Sequence, residues 1–527
     1  MGLLCSGNRR LTAAGPKDDL RKNLLIGNDQ VPKLYASAID QDLLRELTDL
    51  RSTIVKAAAP LIRHFDEASN CQDVSLANLA HYLILRHHDL RPLQRKLMWR
   101  GLSSLGRLES RVLPTLDAVI HAVAALCSQA SPVTSPSRES FFAGEERLIE
   151  ATNLLFGKPP RHRRCRIMVT LPTEAADGPE FVLQLAKRGM DCARINCAHD
   201  DRHAWEKMAR YVRIASVQLD RPISVLMDIA GPKIRTEAVA VEQKKDKMTA
   251  GDALRLVAKG KPRLTPDVPF SASVSLPEMV TRLTVGDRIR YDDGKVQGVV
   301  ESVEGSEAVI RIQYAKAGGT KLKPEKGVNL PDTALGLSPL TAKDEADLAT
   351  VIQFADMIGY SFVSRPEDID LLEAALARHG EGRRQMGLGT LGLVAKVEKP
   401  EAVKNLPDLI ARAKARRPFG VMIARGDLAA EIGFERLAEI QEEILWICEA
   451  AAIPTIWATQ VLEDLVKDGV PSRGEMTDAA MAARAECVML NKGPAVGQAI
   501  ELLNSLFGRM DEHVFKKTPT LRALKSW

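Results

Sequence analysis

Glu398 and Asp427 follow the ends of two successive apolar runs, LVAKVE (393–398) and GVMIAR (420–425), and each brings a carboxylate to the same end of its run. Two hard oxygen donors on neighbouring strands, completed by waters and a substrate oxygen, suit an open octahedral Mg2+ or Mn2+ site. Five cations, Arg194, Lys233, Arg235, Lys396 and Arg425, fall at or just beyond the ends of similar runs. Positive charge gathered around a divalent metal calls for an anionic substrate, and it stabilises either a transferring phosphoryl group or a developing enolate. The chain has no G-x-x-x-x-G-K-[ST] loop and no H-R-D signature, so a nucleotide would have to be held by other means.

These residues need a scaffold that brings strand ends together. Besides the two runs above, RIMVTL (166–171), CARIN (192–196), SVLMD (224–228), DMIGYSF (356–362), PTIWAT (454–459) and CVMLN (487–491) make eight. Unbroken apolar runs suit parallel strands buried on both faces, and amphipathic segments between them suit crossover helices. Eight such units predict an α/β fold, a (β/α)8 barrel whose site lies at the C-terminal ends of the strands. Polar residues stand there on seven strands: Arg194 and Asn196, Asp228, Ser361, Lys396 and Glu398, Arg425 and Asp427, Thr459 and Gln460, Asn491 and Lys492. Packing alone would not select such residues. The gap after the third run is too long for one helix, and Leu254 to Ile312 alternates with period two around turn signals such as Asp292-Asp293-Gly294. A small antiparallel β domain is therefore expected at 237–325, splitting a barrel of 161–236 and 326–527.

Residues 1–160 read as a separate helical region, with leucines at helical spacing and a Ser/Pro-rich linker near 128–140. Its basic tetrapeptide, Arg161 to Arg164, is expected to be a solvated charge run. The 73 Lys+Arg against 68 Asp+Glu give a mild excess that points to no nucleic acid, and no run approaches the roughly 18 apolar residues of a membrane span. Eight scattered cysteines without metal-site spacing, and no secretory leader, point to reduced thiols and a cytoplasmic protein. Met1-Gly2-Leu3-Leu4-Cys5-Ser6 fits an N-terminal acylation pattern, which is short and common by chance.

The ordered set ARINCAHD (193–200), MDIAGPKIRT (227–236), KGVNLP (326–331), AKVE (395–398), IARGDL (423–428), ATQ (458–460) and PSRGE (471–475) resembles the pyruvate kinase family over about 166–506. That resemblance implies phosphoryl transfer from phosphoenolpyruvate to ADP, giving pyruvate and ATP. Position by position it implies Glu398 and Asp427 as divalent-metal ligands, Asp228 as a cation-binding aspartate and Lys396 as the group that stabilises phosphoryl and enolate. It makes Arg194 and Arg235 phosphate contacts, and Asn196, His199 and Lys326 nucleotide-side residues. Thr459 would lie near the carbon that gains a proton, and the backbone of Arg425, Gly426 and Asp427 would bind the substrate carboxylate, with Ser361 beside it. The inserted domain would close as a lid.

The sequence also departs from that pattern. Ala198 replaces a serine that helps bind a monovalent cation, and Lys233 replaces a glutamate, a pair of changes that together imply activity without K+. Asn491-Lys492-Gly493-Pro494 replaces the family's Ser-Gly-Glu-Thr run after strand eight, which leaves open another phosphoenol or 2-oxo acid as substrate, or a non-catalytic regulatory protein. Ala429 stands where a glycine is usual. The chain stops soon after strand eight, so control through the family's further regulatory domain is expected to be missing, and the apolar faces of the N-terminal helices are candidates for self-association into a homo-oligomer.

Overall fold

The computed structural model describes residues 38–333, 336–379 and 389–519; the acylation pattern at 1–6 lies outside them. Five helices come first: α1 Ala38–Ser69, α2 Val74–Arg86, α3 Arg91–Trp99, α4 Val112–Leu126 and α5 Arg138–Phe156. Asp73 caps α2 by accepting from the Ser75 and Leu76 amides, and Ser137 caps α5 through the Ser140 amide. Strands β1 Arg166–Thr170, β2 Cys192–Asn196 and β3 Ser224–Asp228 follow.

An inserted sheet is then built from β4 Thr236–Val241, β5 Ala253–Val257, β6 Phe270–Val274, β7 Arg288–Tyr291, β8 Val296–Glu304, β9 Glu307–Ala315 and β10 Val328–Asn329. Its order is β10-β7-β8-β9-β5-β6-β4, around its own core that includes Phe270, Ile289, Tyr291 and Ile310. The expectation of a purely antiparallel sheet is corrected at one place: β5 and β6 pair in parallel, because the long connection between them returns the chain to the same end.

The chain re-enters the larger sheet with β11 Met357–Tyr360, β12 Gly392–Val397, β13 Phe419–Ala424, β14 Thr455–Ala458 and β15 Cys487–Leu490. All neighbours are parallel, and the order β1-β15-β14-β13-β12-β11-β3-β2 closes on itself. Every residue of β1, β11, β13, β14 and β15 is buried, as unbroken apolar runs require. Strand six stops at Ala424, and Arg425, Gly426 and Asp427 open the helix Arg425–Ile432 instead of extending the strand.

The N-terminal helices are packed into the barrel's own architecture. The last turn of α5 inserts Leu155 and Phe156 among interior residues Met168, Cys192, Leu226, Met422 and Cys487. Two glycines make the room, since a Cβ on Gly392 would lie 2.7 Å from Leu155 Cδ1 and one on Gly420 would lie 2.6 Å from Cδ2. Arg166 of β1 secures the plug by donating to Gly157 O at 2.7 Å and Asn153 Oδ1 at 2.5 Å. The basic tetrapeptide is solvated only in its first half, Arg161 and His162 being exposed. Arg163 is fully buried, bonded to Asp191 at 2.7 Å and to the Cys165 and Gly189 carbonyls, while Arg164 pairs with Asp511 at 2.9 Å. Fixed carbonyl and carboxylate partners take up the guanidinium's donors and so make its burial at an element junction tolerable. The seven described cysteines are unbridged.

A second junction joins four remote segments. Lys517 and Lys516 of the hairpin β16 Val514–Phe515 and β17 Thr518–Pro519 pair with Glu109 and Glu486, around Glu449 of the helix Phe434–Ala450. Burial pushes Glu449 up to about 7; Lys516 and Lys517 oppose this, while Glu109 and Glu486 add repulsion.

Replacing Leu155 by alanine opens a cavity at the barrel base that two glycines cannot fill, and should cost about 3 kcal/mol in denaturant unfolding. Glu449 makes stability pH-dependent with a defined sign. Because its folded pKa is raised, its contribution is full below the ordinary glutamate range and is lost as pH rises through about 7. Melting curves of Glu449→Gln and the parent should therefore lie close at pH 5 and separate by pH 8, the variant being the more stable.

Candidate active site

Asp228, the last residue of β3, is almost completely buried, and Gly359 of β11 makes its position possible, since a Cβ there would lie 2.8 Å from Asp228 Oδ1. Arg194 of β2 donates to Asp228 Oδ2 through Nε at 2.9 Å and also through Nη2, and its Nη1 reaches Thr170 Oγ1 at 3.2 Å. Lys396 of β12 is the centre of the cluster. Its ammonium lies 2.7 Å from Ser361 Oγ, 2.9 Å from Glu398 Oε1 and 3.4 Å from Asp228 Oδ1. Ser361 in turn donates to Ile229 O at 2.7 Å, and the Phe362 amide donates to Glu398 Oε2 at 2.6 Å from a left-handed backbone, φ +59°.

The electrostatics follow from this packing. Burial opposes the charge on Lys396, yet the Asp228 and Glu398 carboxylates outweigh it and raise its pKa. For Asp228 the upward pull of burial is overcome by Lys396 and Arg194, which lower its pKa from the ordinary carboxylate value. Glu398 is different. Burial raises it, Lys396 opposes, and the neighbouring Asp427 and Asp228 add repulsion. Asp427, also pulled up by burial, is held low by Lys233, whose Nζ lies 2.7 Å from Oδ1, with Lys396 and Arg235 assisting. A buried glutamate short of positive charge beside an ionised aspartate is a hard-oxygen pair suited to a divalent cation. Among the described residues no cluster of three or more His, Cys, Asp or Glu side chains is placed to hold a metal.

The remaining predicted residues divide into those at the mouth and one that turns away. Thr459 Oγ1 accepts from the Gly426 amide at 2.7 Å. Arg235 donates to Glu325 O at 3.0 Å, and Lys326 pairs with Asp292 of the inserted sheet at 3.1 Å. Asn196 Oδ1 is used by the Ala198 amide at 3.1 Å, and the half-buried His199 is lowered by burial first and then by Lys492 and Arg235. Arg425, read from sequence as part of the cationic ring, does not join it. Nε donates to Ala458 O at 3.2 Å, Nη2 to Thr459 O at 2.7 Å, and Nη1 to Asp478 at 2.5 Å, so each of its nitrogens is spent inside the barrel wall.

Sequence reasoning missed three contributors. Asp478 lies in a helix whose only signal is the capping box of Ser472 and Glu475. Arg290 of β7 donates to the Ala429 and Ala430 carbonyls at 2.8 and 2.7 Å, and Asn329 of β10 donates to Glu431 Oε1 at 3.0 Å. Both dock the inserted sheet on the helix that carries Asp427. After strand eight, Asn491 is tied to Glu463 at 2.9 Å, and a cleft of about 680 Å3 opens beside Lys492, Pro494, Phe181 and Thr173.

The family model for the pyruvate kinase barrel domain matches residues 162–500. Pyruvate kinase of Methylorubrum extorquens is 32% identical over 353 residues, 66% of this chain and 68% of that protein. Pyruvate kinase of Agrobacterium vitis is 32% identical over 370 residues, 69% of this chain and 72% of that protein. Pyruvate kinase 2 of Synechocystis is 30% identical over 362 residues, 67% of this chain and 58% of that protein. No described helix is long and apolar enough to cross a membrane.

Proposed function

Because the chain belongs to the pyruvate kinase family, we propose that its barrel mouth transfers the phosphoryl group of phosphoenolpyruvate to ADP with Mg2+ or Mn2+ and without a need for K+. The bond from phosphorus to the enol oxygen breaks, a bond to a terminal ADP oxygen forms, and the enolate left behind takes a proton at carbon to become pyruvate. The observation that carries this reading is the Lys396 ammonium, fixed by Asp228, Glu398 and Ser361 beside the Glu398 and Asp427 carboxylates.

Each residue then has a task. Glu398 and Asp427 would hold the divalent cation, which supplies charge neutralisation for the phosphoryl and enolate oxygens. Lys396 and Arg194 meet the negative charge that moves between those oxygens, in a site where burial strengthens the interaction. Asp228 keeps both cations aimed. Lys233 places a fixed ammonium at Asp427, where a mobile monovalent ion would otherwise add positive charge, and Ala198 offers no hydroxyl to such an ion. Asn196, His199, Arg235 and Lys326 line the nucleotide side, the backbone of Arg425, Gly426 and Asp427 faces the substrate carboxylate, and the Thr459 hydroxyl, which accepts from the Gly426 amide, lies toward the carbon. The inserted sheet, seated by Arg290 and Asn329, excludes water from the phosphoryl group. Reduced cysteines fit a cytoplasmic setting.

Pyruvate formation from phosphoenolpyruvate and ADP with Mg2+ tests this directly. Lys396→Met should lower kcat on the order of 1000-fold, and Asp427→Ala should abolish the metal-dependent rate. Added K+ should change the parent rate by less than about twofold, whereas Lys233→Glu should create a K+ requirement. Phosphoenolpyruvate binding without turnover would move the reading to another phosphoenol or 2-oxo acid accommodated by the altered loop after strand eight.

A further inference from the structure

Beyond β14 the backbone takes an unusual path. Thr459, Gln460 and Leu462 all lie in the left-handed region, with φ of +66°, +55° and +50°. Branched and bulky side chains avoid this region, so the surrounding structure must hold them there. The holding group is the Arg425 guanidinium, which grips the Ala458 and Thr459 carbonyls at 3.2 and 2.7 Å and stacks 4.8 Å from the ring centre of Trp457. Its plane is set by Asp478, whose two carboxylate oxygens accept from Nη1 at 2.5 Å and Nη2 at 2.9 Å. A two-point pairing of this kind fixes orientation as well as distance.

The consequence reaches the mouth. Arg425 opens the helix whose next two residues are Gly426 and Asp427, and it grips the carbonyl of Thr459, whose hydroxyl accepts from the Gly426 amide at 2.7 Å. One planar cation thus sets the end of β14 against the start of that helix, and a small rotation of it would move the Thr459 hydroxyl and the Gly426 amide together. Asp478 touches neither of these groups in the contacts described.

We infer that Asp478 is a positioning residue: acting through Arg425, it fixes the Thr459 hydroxyl and the backbone that opens the Arg425–Ile432 helix where they meet the reacting carbon and the carboxylate of the substrate. This rests on the phosphoenolpyruvate reading above. The nucleotide-side residues Asn196, His199 and Lys326 belong to other elements, so loss of the pairing should separate the two substrates kinetically.

The test is a comparison of Asp478→Asn and Asp478→Glu with the parent enzyme. Asp478→Asn, with one carboxylate oxygen exchanged for a donor, should raise the KM for phosphoenolpyruvate about tenfold and leave that for ADP within about twofold. Calorimetric titration with phosphoenolpyruvate and Mg2+ should show the same loss without turnover, and Asp478→Glu should recover part of it. A merely structural role would instead lower the melting temperature and shift both substrates alike, which overturns the inference. Unchanged phosphoenolpyruvate binding in a folded Asp478→Asn protein also overturns it. Should the parent itself neither bind nor turn over phosphoenolpyruvate, the functional reading falls and this inference falls with it, a result distinct from an unaffected variant of an active parent.

Discussion

A lysine ammonium at the top of an apolar barrel is tenable only if carboxylates come with it. Lys396 is nearly enclosed, and the free energy of removing its charge from water is offset by Asp228 and Glu398 at 3.4 and 2.9 Å. The requirement spreads outward. Asp228 needs a second cation and takes Arg194; Glu398 needs a donor and takes the Phe362 amide from a left-handed backbone. Removing any one of these leaves an uncompensated buried charge, so the site behaves as a single electrostatic unit whose members cannot vary independently.

The second dependency runs through the helix Arg425–Ile432. Its first turn carries Gly426 and Asp427, its body accepts the Arg290 guanidinium through the Ala429 and Ala430 carbonyls, and Glu431 near its end accepts from Asn329. Lys233, in the chain leading to the inserted sheet, closes on Asp427. The inserted sheet therefore rests on the helix that carries Asp427, and movement of one is mechanically coupled to the other without any long pathway between them.

Much of this was readable from residue order, for a physical reason. Strands buried on both faces must be apolar throughout, so the eight runs stood out, and a charge at the end of such a run is too costly to be casual. Asp228, Lys396 and Glu398 were identifiable on that ground alone. Arg425 met the same criterion and still points elsewhere, because a long flexible side chain can satisfy itself on either side of a strand end and its partner Asp478 sits in a helix that no pattern connects to it. Arg163 misled in the opposite direction: a run of basic residues signals solvent until the buried carbonyls and Asp191 that receive one of them are seen. The insertion of Leu155 and Phe156 left no trace in periodicity, since a helix end that enters a barrel looks like any amphipathic helix end.

That insertion bears on how the chain must assemble. Leu155 leaves the ribosome early, yet the floor it seals includes Gly392 and Gly420, which are made far later. Until β12 and β13 exist, the apolar tip of α5 has no complete cavity to enter, so its packing waits on the later strands. The fold thus contains a contact of very high sequence separation whose loop entropy is lost before its packing is gained, a topology that slows folding and prolongs exposure of an apolar helix end. The N-terminal helices are in this sense a late-closing stopper, and the order of synthesis runs opposite to the order in which the barrel can be completed.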